Sequence, residues 1–317
     1  TLGSCLYVNE PAFDRPGKPY GSDFELLDAL ADDPAEFMLW LGDNTYTREP
    51  DWNSESGIRY RYAHTRAYPG LQRLLANRQH YAVWDDHDYG PNDSDRSYPL
   101  KEEALRVFSD YWPAHRYGAP GIPGVFQRFE WGDVEIIMLD DRWYRSPNDA
   151  PLTDDKTMFG DAQLLWLFDQ LLDSDATFKV IVGGGQMLNP LHFYEGLGDI
   201  PAERKRITDF IVDNNIEGVL LLSGDRHTSE LLKVTPEGGY PLYEFTCSPL
   251  TAGPGYDKRE TDNPVRVKGT WVTGTHNYGK ISVKGKRNDR RLVIECKDKD
   301  GKVLFSHEIK RSELSFK

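Results

Sequence analysis

The sequence predicts a layered α/β fold, and two observations support this. Short apolar runs alternate with amphipathic helical patterns through most of the 317 residues, which is typical of sheets covered by helices rather than of a β-sandwich or a helical bundle. Clusters of Asp, Asn, His and Tyr also come directly after several predicted strands. Because α/β folds place ligand-binding loops at strand ends, the same pattern indicates where function lies.

The first part of the chain alternates strands and helices. Predicted strands cover residues 2–8, 36–42 and 80–84, and predicted helices cover 22–32, 57–76 with a break near Pro69, and 100–112. Ser22, with Glu25 three residues later, predicts a capping box at the start of the first helix.

The second part adds a hairpin, two helices and more strands. Residues 125–140 predict a hairpin that turns at Gly132 and Asp133. The apolar face of the next helix is predicted to comprise Leu164, Leu167, Phe168, Leu171 and Leu172. Strands at 178–184, 218–224 and 240–248 flank a helix at 202–215 that has Pro201 in its first turn.

The last part of the chain has a different pattern. Apolar and polar residues alternate in short runs that are separated by Gly, Asn and Asp, and this pattern predicts a C-terminal β-meander with strands within 270–310. The Pro/Gly-rich stretch 252–264 predicts a loop. Because no long linker interrupts the sequence, we expect a single domain over residues 1–317.

Composition limits the partners of the chain. Its 38 basic and 51 acidic side chains leave a net charge of −13, which argues against nucleic acid or an anionic membrane as a general partner. No apolar run approaches the roughly 18 to 20 residues of a membrane-spanning helix, and nothing in the sequence indicates a protein partner. The start of the chain one residue before an apolar strand suits a processed N-terminus and favours export.

The three cysteines, Cys5, Cys247 and Cys296, are too few for a disulfide framework. One pair, such as Cys247 with Cys296, stays open. A lone cysteine such as Cys5 is more often a small buried hydrophobe than a metal ligand.

Three further polar clusters follow predicted strands. In LGDNTY, Tyr46 can fold back towards Asp43, although a carboxylate at this position is also a common turn residue. In VWDDHDYGPND, the repulsion among Asp85, Asp86, Asp88 and Asp93 indicates a bound cation, with a solvated acidic turn as the alternative.

The last cluster, SGDRHTSE, has the strongest functional signal. Asp225 and His227 straddle Arg226 just after a predicted buried strand. A two-residue offset in extended chain puts both side chains on one face, as two ligands of one metal cluster require.

Together, six segments in order resemble the alkaline phosphatase D (PhoD-like) family of the calcineurin-like metallophosphoesterases. They are GSC, GDNTY, WDDHDYG, LDDRWYRS, FGDAQLLWL and SGDRHTSE, all within residues 3–254. The resemblance implies a four-layer α/β/β/α sandwich, to which the predicted C-terminal meander is added.

The resemblance also implies a mixed metal site of iron (Fe³⁺) and calcium. The implied iron ligands are Cys5, Asp43, Tyr46 and His227, with Asp43 bridging the two metals. The implied calcium ligands are Asp43, Asp86 and Asp225, with Asn92 as a further contributor. The family habit further implies a periplasmic or secreted location.

Other positions are candidates for contacts with substrate. His87 is implied to face the substrate and to protonate the leaving group, although it could merely bond Asp88. Asn44 and Arg142 are candidate catalytic and substrate-binding groups and Gln186 a candidate substrate-binding group, while Arg142 could instead pair with Asp140 or Asp141. We expect only structural roles for His64, His115, His192 and His276.

These residues predict metal-dependent hydrolysis of phosphoesters, monoesters and diesters, by a metal-activated water. The substrate would be a small-molecule or lipid phosphoester. A phosphodiesterase or phospholipase D-like enzyme acting on headgroup or nucleotide diesters is the near alternative, and a non-catalytic calcium-binding module is the remote one.

Overall fold

Two six-stranded sheets form the centre of the molecule in the computed structural model, which describes residues 1–191 and 193–317 except for the side chain of Asn288. His192, for which we expected a structural role, lies outside the described residues. The strands in chain order are β1 (Leu2–Gly3), β2 (Phe37–Leu41), β3 (Gln79–Val83), β4 (Gln127–Trp131), β5 (Val134–Met138), β6 (Phe178–Val182), β7 (Val219–Ser223), β8 (Glu230–Val234), β9 (Leu242–Thr246), β10 (Asn277–Lys284), β11 (Arg291–Asp298) and β12 (Val303–Lys310). The helices are α1 (Glu25–Asp32), α2 (Glu55–Arg66), α3 (Pro69–Leu75), α4 (Asp86–Tyr89), α5 (Lys101–Tyr111), α6 (Asp161–Asp173) and α7 (Pro201–Asp213).

The first sheet has the strand order β12-β11-β10-β1-β2-β3. Strands β1, β2 and β3 are parallel, with Leu2 opposite Leu39, whereas β10 joins β1 in the antiparallel sense. The predicted C-terminal meander therefore completes this sheet. The short strand β1 lies between the meander and β2, so the segment after it, which contains Cys5, is fixed from both sides.

The second sheet has the strand order β4-β5-β6-β7-β9-β8. The predicted hairpin forms β4 and β5, and β5, β6, β7 and β9 run parallel. Every residue of β5, β6, β7 and β9 is buried. Burial on both faces means that each sheet face is covered, as in a layered α/β fold.

The two sheets pack against each other through aromatic side chains. The ring centroids of Phe37 in β2 and Phe129 in β4 are 5.6 Å apart, and those of Phe245 in β9 and Phe305 in β12 are 5.8 Å apart. One cluster of buried hydrophobic residues includes strands of both sheets and helices α1 to α7. Helices therefore cover the sheets on the outside, and the predicted α/β/β/α arrangement is confirmed.

Several predicted boundaries are wrong. Strand β1 ends at Gly3 rather than at residue 8, because Cys5 adopts a left-handed backbone with φ 59°. Helix α1 begins at Glu25, and its N-terminus has no side-chain cap, so Ser22 forms no capping box. Leu172 is exposed rather than on the buried face of α6. Strand β8 and helix α4 were not predicted.

None of the described helices is long and apolar enough to cross a membrane. All three cysteines are buried free thiols, so Cys247 and Cys296 form no disulfide.

Candidate metal centre

The predicted ligands come together where loops from the two sheets meet. Cys5 follows β1, Asp43 follows β2 and Asp86 begins α4 after β3, all from the first sheet. Asp225 and His227 follow β7 of the second sheet. Backbone hydrogen bonds join the first two of these loops, since Leu6 N donates to Asp43 O at 2.8 Å. The parallel strands thus bring separate sequence segments to one edge.

Four of these residues adopt a left-handed backbone. The φ angles are 59° for Cys5, 53° for Asp43, 66° for Asp225 and 54° for His227. Residues with a Cβ atom rarely adopt this conformation, and such outliers cluster at functional sites. Asp225 and His227 line the same cleft, but the reason predicted from sequence, a shared face of extended chain, is wrong.

The first group of possible ligands is centred on Asp43. Its Oδ2 atom accepts a hydrogen bond from the Tyr46 hydroxyl at 2.9 Å and lies 3.6 Å from Cys5 Sγ. The Tyr46 hydroxyl is also 3.3 Å from His227 Nε2. Ligand atoms of Cys5, Asp43 and His227 lie within 4.8 Å of one another, which is close enough to share one ion.

The His227 ring is oriented by its other nitrogen. Nδ1 lies 2.6 Å from the Gly253 carbonyl oxygen, which can only accept a hydrogen bond, so Nδ1 carries the proton. The lone pair of Nε2 therefore points towards Tyr46 and Asp43. A ring nitrogen fixed by a backbone carbonyl on one side is the usual arrangement of a metal-binding histidine.

Two further groups of possible ligands adjoin the first. Asp43, Asp86 and His87 form one, and Asp86, Asp93 and Glu195 form the other. Because Asp43 belongs to the first and second groups and Asp86 to the second and third, the groups form a continuous chain of donors. Asp225 lines the same cleft but belongs to none of the three groups, and its carbonyl oxygen is 3.6 Å from Cys5 Sγ.

Burial and mutual repulsion disturb the acid–base properties of these groups. Burial, together with the charge of Asp86, raises the pKa of Asp43 well above its usual value. Burial raises the pKa of Asp225 to about 6, and burial with the charge of Asp225 raises the pKa of Cys5 to about 12. A metal cation would offset this repulsion and favour the ionised forms.

His87 faces the same cleft from helix α4. Its ring lies 4.2 Å from the Tyr46 ring, measured between centroids, and its buried Nδ1 atom has no hydrogen-bond partner among the described residues. Its backbone N donates to Asp86 Oδ1 at 2.9 Å. The ring therefore has one polar atom that no described residue bonds.

The three other candidates lie behind the cleft and bond to the protein itself. Arg142 is buried and pairs with Asp85 and with Glu195 Oε2, the latter at 2.7 Å, rather than mainly with Asp140 or Asp141. The Asn44 amide donates to Val83 O at 2.7 Å.

Gln186 is likewise buried. Its amide donates to Glu230 Oε1 and to Thr246 Oγ1, each at 2.8 Å. Its oxygen accepts from Asn189 at 2.7 Å. None of Arg142, Asn44 and Gln186 lines the cleft that holds His87.

That cleft has a volume of about 480 Å³. Its acidic residues include Asp43, Asp86 and Asp225, and Asn92, which is exposed, also lines it. Three exposed tyrosines also line it, namely Tyr20, Tyr194 and Tyr256. The cleft therefore joins a group of metal-type donors to an aromatic border.

Three residues that contact the possible ligands are not predicted from the sequence. Glu195 supplies a carboxylate to the third group, Ser248 Oγ donates to Cys5 Sγ at 3.0 Å, and the Tyr20 hydroxyl is 3.3 Å from His227 Nδ1. Each lies in a loop distant in sequence from the ligands it contacts. The sequence has no local signal for them beyond the polar composition of their loops.

The residues present fit the implied metals. Thiolate, phenolate, imidazole and carboxylate suit ferric iron, while a set of carboxylate oxygens suits calcium. The raised pKa values of Asp43 and Asp225, which result from burial together with nearby carboxylates, also fit a site whose negative charge a cation would offset.

Comparison with known proteins identifies a family. The PhoD-like phosphatase family model matches residues 17–291, a span that contains Asp43 to His227 but not Cys5. Alkaline phosphatase D of Bacillus subtilis (strain 168) is 24% identical, over 63% of this chain and 42% of the relative. The chain thus spans less than half the length of this curated relative.

Solved structures show the same fold. A structure described as PhoD matches 97% of this chain and 70% of its own, with a TM-score of 0.70 and 19% identity. Purple acid phosphatase PPD1 from yellow lupin (Lupinus luteus) seeds matches 98% of this chain and 53% of its own, with a TM-score of 0.64 and 11% identity. Because the family model matches residues 17–291, well over half of the sequence, the chain belongs to the PhoD-like phosphatase family.

Proposed function

We propose that the protein is a metal-dependent phosphoester hydrolase. The observation that carries the proposal is the convergence of possible metal ligands on one cleft. Asp43, Asp86, His87 and His227 line it, and the buried side chains of Cys5 and Tyr46 contact Asp43. Membership of a phosphatase family supports the reaction class, and the curated relative is an alkaline phosphatase.

The donor chemistry divides the metals between two parts of the site. Cys5, Asp43, Tyr46 and His227 would hold iron, and Asp43, Asp86 and Asp225 would hold calcium, with Asn92 close to the second position. When bound, the metals supply positive charge that neutralises the phosphoryl oxygens and acidifies a water.

The chain's own residues contribute in three ways. Asp43 lies between the two parts of the site and fixes their relative position. The Gly253 carbonyl holds the His227 ring in one tautomer. His87 lines the cleft, has a ring nitrogen that no described residue bonds, and would donate a proton to the leaving alkoxide.

Protein charge does not attract the substrate in this proposal. The chain carries a net charge of −13, Arg142 is bonded to Asp85 and Glu195, and Arg226 is paired with Glu260. The attraction for a phosphoryl group would therefore come from the metals themselves.

A phosphodiesterase or phospholipase D-like activity is the second candidate. It is favoured by the exposed aromatic border of the cleft, since Tyr20, Tyr194 and Tyr256 offer surface for an organic ester arm. A small substrate without an organic ester arm would make no contact with these tyrosines.

Hydrolysis of para-nitrophenyl phosphate and of bis-para-nitrophenyl phosphate at alkaline pH, with added calcium and iron and with chelator, tests the proposal. We expect release of nitrophenol that chelator abolishes, and the ratio of the two rates separates a monoesterase from a diesterase. Asp43→Asn should lose the activity, because it removes a donor shared by two groups. Asp173→Asn, which changes an exposed carboxylate at the end of α6, is the matched control.

Absence of hydrolysis of both esters by metal-loaded protein would reject the proposal in favour of a non-catalytic metal-binding module. Unchanged activity in Asp43→Asn would reject the assigned site. The periplasmic or secreted location rests on the family resemblance alone and is tested by cell fractionation.

A further inference from the structure

A second cavity adjoins the metal cleft. It has a volume of about 730 Å³ and shares Asp93, Tyr194 and Glu195 with the cleft. A molecule with its phosphoryl group at the metals could therefore extend into it. We call it the Arg145 pocket after the guanidinium that lines it.

Arg145 is buried with incomplete hydrogen bonding. Its side chain is 2% exposed, and its Nη2 atom is 3.2 Å from Asn148 Oδ1 and 3.2 Å from Glu195 Oε1. Its Nε and Nη1 atoms have no hydrogen-bond partner among the described residues. Leaving such donors unmade is unfavourable, so an acceptor is expected there.

Two further cations line the same pocket. Lys156 is 8% exposed and donates to Asn148 O at 2.8 Å, which leaves other ammonium protons available. Arg204 contributes a half-buried guanidinium from helix α7. Together with Arg145 they set three positive charges in one wall.

Acidic residues also line the Arg145 pocket. Asp93, Glu195 and Asp199 equal the three cations in number, and Glu195 Oε1 is the oxygen that lies 3.2 Å from Arg145 Nη2. Net charge therefore does not select an anion. The selection rests on the unbonded Nε and Nη1 donors of Arg145, which only an acceptor can satisfy.

Part of the remaining lining is apolar. Leu152 and Phe193 are exposed large hydrophobic side chains, and Ile200 and Pro201 complete this side. Apolar walls with a few convergent polar groups are typical of sites for organic ligands.

We propose that the Arg145 pocket binds a second anionic group, a phosphate or a carboxylate, carried on an ester arm of the substrate. This proposal rests on the proposed function, because the first phosphoryl group must lie at the metals. The substrate would then be an organic phosphodiester with a second acidic group on one of its ester arms.

Three para-nitrophenyl phosphodiesters test it. Their second arms are propyl chains that end in a hydroxyl, a carboxylate or a phosphate. We expect kcat/KM about tenfold higher for an acidic arm than for the hydroxyl arm, the gain that a charge-assisted contact provides. Preference for only one of the two acids identifies the group and also supports the proposal.

Variants of the pocket residues test whether the Arg145 pocket causes the preference for acidic arms. In Arg145→Gln the ratio of kcat/KM between acidic and hydroxyl arms should fall to about twofold or less, and in Lys156→Gln it should fall by about threefold. Lys205→Gln removes an exposed cation of α7 outside the pocket and should keep the ratio. If Arg145→Gln does not fold, Lys156→Gln and Arg204→Gln carry the test.

Equal kcat/KM for all three esters would overturn the proposal, as would a preference that persists in the pocket variants. If none of the esters is hydrolysed, the proposed function fails. Dissociation constants of the intact esters, measured by calorimetry, then test the pocket alone, and equal values would reject it.

Discussion

Single residues of the candidate metal centre are held in unusual backbone conformations. Cys5, Asp43, Asp225 and His227 all have positive φ, which costs roughly 1 kcal/mol or more for a residue with a Cβ atom. Surrounding contacts maintain this conformation, such as the hydrogen bond from Ser248 Oγ to Cys5 Sγ at 3.0 Å. The backbone of these four residues is thus held in a strained conformation, and this conformation positions their side chains as possible metal ligands.

Replacing Cys5 should remove iron without unfolding the protein. In Cys5→Ser we expect iron content to fall to about a tenth of the wild-type value, because a hydroxyl is a far poorer ligand than a thiolate. Metal analysis by mass spectrometry measures the loss, and circular dichroism checks the fold.

Cys296→Ser is the matched control, since Cys296 is also a buried free thiol but lies in β11. Full iron occupancy in Cys5→Ser would remove Cys5 from the ligand set, and the family model, which starts at residue 17, lends Cys5 no support.

Replacing His87 should slow turnover while leaving metal bound. His87→Ala is expected to lower kcat by about 10²-fold, the usual contribution of a positioned general acid. His115→Ala, which changes an exposed histidine, should have no effect. Loss of metal from His87→Ala would instead make His87 a ligand.

Sequence reasoning located some of these residues better than others. Asp43, Asp86, His87, Asp225 and His227 were found because each directly follows a strand and therefore reaches the sheet edge. By contrast, Glu195 lies in a long loop after β6, and only the tertiary fold brings it beside Asp86. The partners of Arg142 were also beyond reach, since Asp85 and Glu195 are distant from it in sequence.

At the level of elements, strand β3 contains His80, whose two hydrogen bonds fit the neutral form of the imidazole ring. His80 Nδ1 accepts a hydrogen bond from Trp40 Nε1 of β2 at 3.0 Å, and His80 Nε2 lies 3.2 Å from the Leu74 carbonyl of α3. Burial lowers the pKa of His80 to about 4 from its ordinary 6.5. A neutral ring satisfies both contacts.

Because of His80, the free energy of unfolding should decrease as the pH is lowered. Between about pH 6.5 and pH 4 the unfolded chain binds a proton at His80 that the folded chain does not, so the free energy of unfolding falls as pH falls. We expect the stability advantage of wild type over His80→Asn to narrow by about 1–2 kcal/mol between about pH 7 and pH 5.

Urea unfolding at several pH values measures this difference. His115→Asn, at an exposed site, provides the control and should follow wild type at every pH. A constant difference between wild type and His80→Asn would mean that His80 titrates normally in the folded protein.

Regular elements were predictable where the apolar pattern is long. Helices α5, α6 and α7 and the hairpin of β4 and β5 match the periodicity of their residues. Helix α4 was missed because it has only four residues, and β8 because it lies between polar loop segments. Strand β1 was overextended because the left-handed turn at Cys5 has no glycine to mark it.

At the level of the whole molecule, metal binding should contribute to stability. Asp43, Asp86 and Asp225 crowd one cleft, and burial with mutual repulsion raises the pKa of Asp43 and Asp225. Chelation should therefore lower Tm by about 5 °C or more, and returning the metals should restore it. Differential scanning calorimetry measures the shift.

Asp43→Asn is the informative comparison for this shift, because its Tm should no longer respond to chelator. A wild-type Tm that is the same with and without chelator would mean that the cleft holds no metal in the folded protein.

The assignment of the whole chain to one domain stays a prediction.

The pairing of β1 with β10 has a consequence for biosynthesis. Leu2 lies opposite Gly279, so the strand that leads into Cys5 is completed by a residue that is synthesised 277 positions later (279 − 2). Until β10 has left the ribosome, β1 lacks one of its two neighbouring strands, and the loop that holds Cys5 lacks that support. If Cys5 binds a metal as proposed, we expect the metal to be bound only after β10 has been synthesised and has paired with β1.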